Sequence, residues 1–536
     1  MDSLPTKHIV TEIDMKAETD DKNIHEACGV LGYYCIKPSN CIENFVNALS
    51  KLQHRGREST GISYVVAGED SSYNTNNTAN NEKSSSNDKE TERQITTDGY
   101  GSGLNVQGTV TWNVHKGFGE VKDVFKNKLN PRSHQQQIKT IIGHNRYSTS
   151  AKSLNATETP PVNQTQTLQP FYNSKLNIAF VHNGNIQGID YTQNDSFFIF
   201  NIIADLYTKN YNHNMEQCLR YVLQNYKGVY CIVIQTSEGL FAIRDRYGVR
   251  PLFIGAGKDT IVVGSETTAF DGEFSIVKEI GPGELYYIGN SERVVKRTTV
   301  NEKYIHKLYT LPRGRIDKAF CMFEYFYFMN HESCIDNSSL YEYRHSLGIQ
   351  LAAKETTTFA RETTVVVGSP NSGIAAGQGY AMRAALNYTQ AILKYVGVGR
   401  TFIMPSDQER KSLCEKAFYI ENAQINGKDV IVVDDTIVRG NTFKTLVSQL
   451  RENGARSVHV RVASPEIIST CNMGIDIPTV KELFTDIAKT HEERLAYLNV
   501  DSLTYLTNEE VKQVIGENVC TKICGCFKGG NKMLEW

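Results

Sequence analysis

The chain has 536 residues, too many for one ordinary domain; at ~150 residues per domain it holds three or four, and two large ones fit as well. Its 57 basic and 59 acidic residues leave a formal charge of −2, so no chain-wide attraction for nucleic acid or an anionic membrane exists, and any polyanion must be met locally. Hydrophobic residues at 40% and aromatics at 10% suffice for sizeable cores, while no uninterrupted apolar run of about 18 residues is present to span a bilayer, which points to a soluble protein.

Residues 1–27 are polar, with Glu12, Asp14, Glu18, Asp20 and Asp21 scattered through them. They have neither the apolar stretch of a signal peptide nor the Arg-rich, acid-poor make-up of a transit peptide, and read as a dispensable leader. Twelve cysteines are too sparse for a disulfide scaffold, so a reducing, cytosolic compartment is expected. Apolar runs at 30–35, 61–67, 106–114, 141–144, 178–181, 229–235, 240–244 and 260–264, bounded by Gly, Asn or Asp, predict buried strands. Helical patches fall at 41–53, 196–210 and 215–224. Between them, residues 69–98 collapse into Asn, Ser, Thr, Glu and Lys and predict a disordered surface insertion.

Past the turn Gly281-Pro282-Gly283 the rhythm changes. Apolar strands at 365–367, 429–433 and 457–463 alternate with helical stretches such as 375–386 and 443–453, which implies a parallel sheet with helices on both faces. A boundary near residue 300 then separates a domain at 28–300 from one at 301–536.

Within the second half, the strand 430–433 ends in Asp434-Asp435 and runs through Thr436-Ile437-Val438-Arg439-Gly440-Asn441-Thr442 into a helix. Ligands of open α/β sheets bind at such strand ends. Backbone N–H groups of 436–442 and the helix N-terminus can hold a phosphate, Gly440 allows close approach, and two adjacent carboxylates can accept hydrogen bonds from the vicinal hydroxyls of a sugar. An isolated acid pair in this position serves as readily to cap the helix. The full stretch resembles the motif of type I phosphoribosyltransferases that binds 5-phosphoribosyl 1-diphosphate (PRPP) with Mg2+. That resemblance implies that Asp434 and Asp435 contact the ribose, that Thr436, Arg439, Gly440, Asn441 and Thr442 surround the 5-phosphate, and that Val367-Gly368-Ser369-Pro370-Asn371-Ser372-Gly373 is a diphosphate loop with Ser372 near the metal.

In the first half, Cys28 in Glu26-Ala27-Cys28-Gly29 would by itself read as a small buried hydrophobe. Five further blocks follow it in order: His54-Arg55-Gly56-Arg57-Glu58-Ser59-Thr60-Gly61-Ile62, Gly143-His144-Asn145-Arg146-Tyr147-Ser148-Thr149, His182-Asn183-Gly184-Asn185, Asn194-Asp195-Ser196 and Arg244-Asp245-Arg246-Tyr247-Gly248-Val249-Arg250-Pro251-Leu252. Together they resemble glutamine amidotransferases of the N-terminal-nucleophile (Ntn) class. Amide hydrolysis needs a thiolate, a base and donors aimed at the oxyanion. The resemblance implies Cys28 as nucleophile after removal of the leader, Asn183 and the Gly184 N–H as oxyanion hole, Arg146 on the glutamine carboxylate and Asp195 on its α-ammonium group.

A glutaminase half joined to a PRPP half resembles the amidophosphoribosyltransferase family from about residue 28 to Trp536. That likeness implies an Ntn αββα domain followed by a doubly wound α/β domain, and transfer of ammonia from glutamine to PRPP at the first committed step of purine synthesis. It further implies an internal ammonia channel, purine nucleotides as feedback inhibitors and a homo-oligomer, commonly a tetramer. Many members hold a 4Fe-4S cluster on four cysteines. Cys321 and Cys471 match two ligand positions, and Cys526 with Cys524 or Cys520 supplies the others; four thiolates from separate segments suit zinc equally. The chain departs from the family at Arg57, where Gln is usual, in the flexible loop at 394–402, which lacks one Arg, and at Cys414, although Lys416 is kept for PRPP. The altered loop leaves one alternative, a catalytically weakened PRPP- or nucleotide-sensing homologue.

Overall fold

The computed structural model describes residues 28–67, 105–107, 110–126, 136–146, 168–188, 194–270, 272–290, 303–312, 318–394, 418–471, 473–475 and 479–531. Its first half stacks two antiparallel sheets. One contains β1 (Gly29–Ser39), β2 (Ser59–Ala67), β3 (Asn105–Gln107), β4 (Val110–Phe118) and β5 (Ile138–Arg146). The other contains β6 (Phe171–Asn173), β7 (Ile178–Ile186), β8 (Gly228–Gln235) and β9 (Gly239–Arg244). Strands β10 (Phe253–Ala256), β11 (Thr260–Gly264) and β12 (Ser275–Glu279) return to the first sheet, giving the order β12-β10-β11-β1-β5-β2-β4-β3. Strands β13 (Glu284–Gly289) and β14 (Ile305–Thr310) complete the second as β14-β13-β9-β8-β7-β6.

The inner faces meet through Val30, Ile142, Val181, Val233 and Ala242, all buried. Helix α1 (Ile42–Lys51) covers the outer face of the first sheet with Phe45 and Leu49, while α2 (Val121–Phe125) packs beside it. Helices α3 (Asp195–Asp205) and α4 (Met215–Asn225) cover the second sheet with Ile199, Ile203, Leu219 and Val222. Each of these buried aliphatic side chains contributes about 1.5–3 kcal/mol, so the four layers are held chiefly by apolar burial.

The run at 106–114, expected as one strand, is two: β3 and β4 pair antiparallel, Val106 opposite Thr111. Alternating apolar residues are equally compatible with either arrangement, because a tight reversal preserves the period of two.

In the second half, β15 (Cys334–Ile335) and β16 (Ser338–Ser339) form a short ribbon before α5 (Leu340–Ala353). A five-stranded sheet follows, built from β17 (Thr364–Gly368), β18 (Asn387–Tyr388) and three later strands, with β19 (Ile392–Lys394) and β20 (Phe418–Ile420) paired apart from it. With β21 (Asp429–Asp434), β22 (Ser457–Val462) and β23 (Ser502–Tyr505) its order is β18-β17-β21-β22-β23, and every pairing is parallel. Helix α6 (Gly373–Ala384) links β17 to β18, α7 (Asn441–Glu452) links β21 to β22, and α8 (His491–Leu498) precedes β23. Val365, Val430, Val432, Val458 and Leu446 build one core on one face. The other core is continuous with that beneath α1, running through Phe320, Met322, Tyr380, Ile431 and Phe527, so the halves share apolar packing.

Candidate active site

Cys28 immediately precedes β1, and the register that sets Gly29 against Asn145 brings it to the end of β5 where Arg146 stands. The Cys28 carbonyl accepts from Arg55 Nε at 3.0 Å. Arg55 is fully buried between two carboxylates: Nη1 meets Glu266 Oε1 at 2.5 Å, and Nη1 and Nη2 meet Glu324 at 3.0 and 2.8 Å. Arg250 also donates to Glu324, at 3.2 Å, so two guanidiniums face two carboxylates, all four side chains fully buried. Burial alone would raise the pKa of Glu266, but His54 and Arg55 outweigh it and hold it below the ordinary carboxylate range. Such a closed set is costly to break, since removing one partner leaves an uncompensated buried charge worth about 3–5 kcal/mol.

Asn183 and Gly184 lie on β7, in the sheet stacked against that of β1 and β5. His144 Nε2 to the His182 carbonyl, 3.1 Å, joins β5 to β7 at this level. Asn183 is fully buried, yet neither Oδ1 nor Nδ2 has a hydrogen-bond partner among the described residues. A buried amide without partners costs about 1–3 kcal/mol per unmet group, a cost that a bound ligand at this position would relieve. Gly184 has φ +151°, and a Cβ there would stand 2.0 Å from the Val229 carbonyl, so only glycine fits. Asp195 opens α3; Oδ2 accepts from the Ile186 N–H at 3.0 Å, which anchors this carboxylate next to β7. Asn194 caps α3 by accepting from the Phe197 N–H.

In the second half the acid pair sits where a parallel sheet collects ligands, at the carboxyl end of β21. The 369–372 loop packs directly on it. Ser369 N–H donates to the Val433 carbonyl at 2.9 Å, and a Cβ on Gly373 would come within 2.4 Å of that same oxygen. Burial pushes Asp435 toward its protonated form, while hydrogen bonds from Ser372 and Thr436 and the charge of Arg344 favour the carboxylate. Thr436 Oγ1 donates to Asp435 Oδ1 at 2.6 Å. Gly440 takes φ +81° as N-cap of α7, opening the turn through which 436–442 enters the helix. Arg439 pairs with Glu482 at 3.0 Å, and Asn441 Oδ1 accepts from Tyr497 at 3.2 Å. Thr442 follows in the first turn of α7.

Five buried cysteines converge behind these sites. Cys321 contacts Cys520, Cys520 contacts Cys524, and Cys471 contacts both Cys524 and Cys526. Cys524 and Cys526 Sγ atoms are 2.7 Å apart. Backbone bridges hold the segments: Phe320 to Val519, and Ile467 to Phe527. This donor set is soft and buried, and four of its thiolates would suit an iron–sulfur cluster or zinc equally. Among the described residues no group of three or more His, Cys, Asp or Glu is arranged to hold a metal ion.

Lys416, Cys414, residues 395–402, the leader 1–27 and the insertion 69–98 lie outside the described residues. Of the residues in these sites, Glu266, Glu324, Arg250 and Arg344 went unremarked as functional in the sequence. Arg55 and Arg250 stood within the quoted blocks, but their partners are more than 70 residues away in sequence and carry no local signature.

A family profile described as a glutamine amidotransferase domain matches residues 156–272. The amidophosphoribosyltransferase of Methanocaldococcus jannaschii is 31% identical over 93% of this chain and 96% of its own length. That of Bacillus subtilis is 30% identical over 95% and 94%. The solved glutamine PRPP amidotransferase of B. subtilis, complexed with ADP and GMP, superimposes with a TM-score of 0.70 at 27% identity, covering 94% of this chain and 96% of that one. Fold and likeness together define an Ntn glutaminase joined to a type I phosphoribosyltransferase domain. The chain belongs to the amidophosphoribosyltransferase family.

Proposed function

We propose that the chain converts PRPP, glutamine and water to 5-phosphoribosylamine, glutamate and diphosphate, and that the residues above divide the work as follows. Once the leader is removed, the α-amine of Cys28, with an ordinary pKa of about 7.7–8.0, takes the thiol proton, and the thiolate attacks the side-chain amide of glutamine. The adduct collapses with cleavage of the C–N bond as the α-ammonium group returns the proton to the departing ammonia, and water then hydrolyses the thioester to glutamate and free thiol. Asn183 Nδ2 and the Gly184 N–H stabilise the oxyanion, Arg146 holds the substrate carboxylate and Asp195 its ammonium. The released ammonia attacks C1 of PRPP, and the C1–diphosphate bond breaks. Asp434 and Asp435 hold the ribose hydroxyls, Thr436, Arg439, Gly440, Asn441 and Thr442 hold the 5-phosphate, and Lys416 also binds PRPP. Mg2+ near Ser372, Asp434 and Asp435 would screen the diphosphate and improve it as a leaving group.

The observation that carries the glutaminase half is the unpartnered, fully buried Asn183 amide beside Gly184. Asn183→Ala is expected to lower glutamine-dependent turnover by about 10²–10³-fold, the usual cost of one oxyanion donor. Turnover with ammonium salts should stay unchanged; an unaltered glutamine rate would remove Asn183 from the mechanism.

The thiols support a 4Fe-4S cluster on Cys321, Cys471, Cys526 and either Cys524 or Cys520, which would cross-link three separate segments. Anaerobically purified protein should contain about four iron and four sulfide per chain; values near zero would contradict the assignment. Purine nucleotides, such as those bound to the B. subtilis relative, are proposed as inhibitors that occupy the PRPP region. No helix of the described residues is long and apolar enough to cross a membrane. A cytosolic homo-oligomer, a tetramer by family likeness, completes the reading.

A further inference from the structure

The two glutamine subsites of the proposed reaction are carried by different elements. The oxyanion donors Asn183 and Gly184 are on β7, and the ammonium acceptor Asp195 is the first residue of α3. Their separation must match the length of the substrate, because one group grips the amide carbonyl and the other the α-ammonium group. Residues 189–193, the direct connection, lie outside the described residues. Cross-links between β7 and the start of α3 therefore carry the spacing among the described residues.

One is direct, from the Ile186 N–H to Asp195 Oδ2 at 3.0 Å, and Gln169 makes several of the others. Its side chain is 3% exposed. Oε1 accepts from the His182 N–H at 2.6 Å, and Nε2 donates to Ser196 Oγ at 3.2 Å and to the His182 carbonyl at 3.4 Å. Ser196 Oγ is also 2.7 Å from His182 Nδ1 and donates to Asp195 Oδ1 at 3.2 Å, which the Ser196 N–H reaches at 2.6 Å. One amide thus ties the residue before Asn183 to the residue after Asp195. Gln169 is itself clamped: Lys116 Nζ donates to the carbonyls on either side of it, Leu168 at 2.8 Å and Pro170 at 3.3 Å. The ring of bonds is closed and buried.

We propose that Gln169 and Ser196 are positioning residues that set the distance between the oxyanion hole and the ammonium-binding carboxylate, and so select glutamine over its one-carbon-shorter homologue asparagine. The proposal rests on the glutaminase reading above. One methylene is worth about 10–200-fold in a rigid site and less in a loosened one.

The test is hydrolysis of glutamine and of asparagine by the full-length protein and by Gln169→Leu and Ser196→Ala, with ammonia-dependent diphosphate release as the control for folding. Both variants should lose about tenfold in the ratio of kcat/KM for glutamine to that for asparagine, with ammonia-dependent release within about twofold of wild type. Gln169→Glu, which can still accept from the His182 N–H, should recover part of the ratio. A ratio unchanged from wild type in Ser196→Ala, whatever the absolute rates, overturns the proposal. Should Gln169→Leu also lose ammonia-dependent release, Ser196→Ala decides alone, because it deletes a single oxygen. Failure of wild-type protein to hydrolyse glutamine would instead overturn the glutaminase reading.

Discussion

Cys28→Ala is expected to abolish glutamine-dependent diphosphate release, by roughly 10⁴-fold or more, while release driven by ammonium salts at alkaline pH stays within about twofold of wild type. The asymmetry follows from the architecture. Cys28 stands at the start of β1, in a separate stack of sheets from Asp434 and Asp435 at the end of β21. Supplying ammonia directly bypasses the thiol chemistry but not the second site. Cys28 is fully buried and small, so truncation costs about 1 kcal/mol or less of packing and leaves the Arg55–carbonyl bond, which uses the backbone, in place. Glutamate production and diphosphate release, followed side by side, check it. Equal loss with both nitrogen sources would mean that Cys28 supports the fold rather than the chemistry.

The converse result is expected from the paired substitution Asp434→Asn with Asp435→Asn. Each carboxylate that accepts from a ribose hydroxyl contributes about 1.5–3 kcal/mol, so losing both charges should lower kcat/KM for PRPP by about 10²–10⁴-fold with glutamine and with ammonia alike. Stability should not fall in parallel. Burial already disfavours the charged form of Asp435, and Ser372 and Thr436 can still donate to an amide oxygen. Thermal unfolding together with diphosphate release distinguishes the cases. A selective loss of the glutamine reaction would place the acid pair in the wrong half.

The legible parts of the fold were those in which one local pattern has one structural solution. The apolar runs at 229–235, 260–264 and 429–433 became β8, β11 and β21 because fully buried strands admit few polar residues. Helix α5 was not foreseen, although Ser339-Leu340-Tyr341-Glu342 carries a capping box that the structure forms in full. The same signature stands at Thr507 and Glu510, ahead of the helix Asn508–Ile515.

Other features had no local signature at all. Glu324 can be recognised as a hub only once Arg55 and Arg250 are brought to it from 269 and 74 residues away. Gln169 looks like an ordinary loop amide until the fold sets it between His182 and Ser196. The cysteines fall between these extremes. Their clustering in the tail was visible, but the contact of Cys520 with Cys321 depends on the bridge between Phe320 and Val519, a tertiary event.

The central claim is that two chemistries on one chain are joined by one nitrogen atom. It is tested most directly by giving purified protein glutamine labelled with ¹⁵N in the side-chain amide, together with PRPP and Mg2+, and measuring glutamate, diphosphate and the label in the aminated sugar. The account predicts glutamate and diphosphate in equal amounts, with the label in the product even when unlabelled ammonium is present in the buffer. Glutamate without diphosphate, or no diphosphate from either nitrogen source, would contradict it and leave a binding protein in place of a transferase.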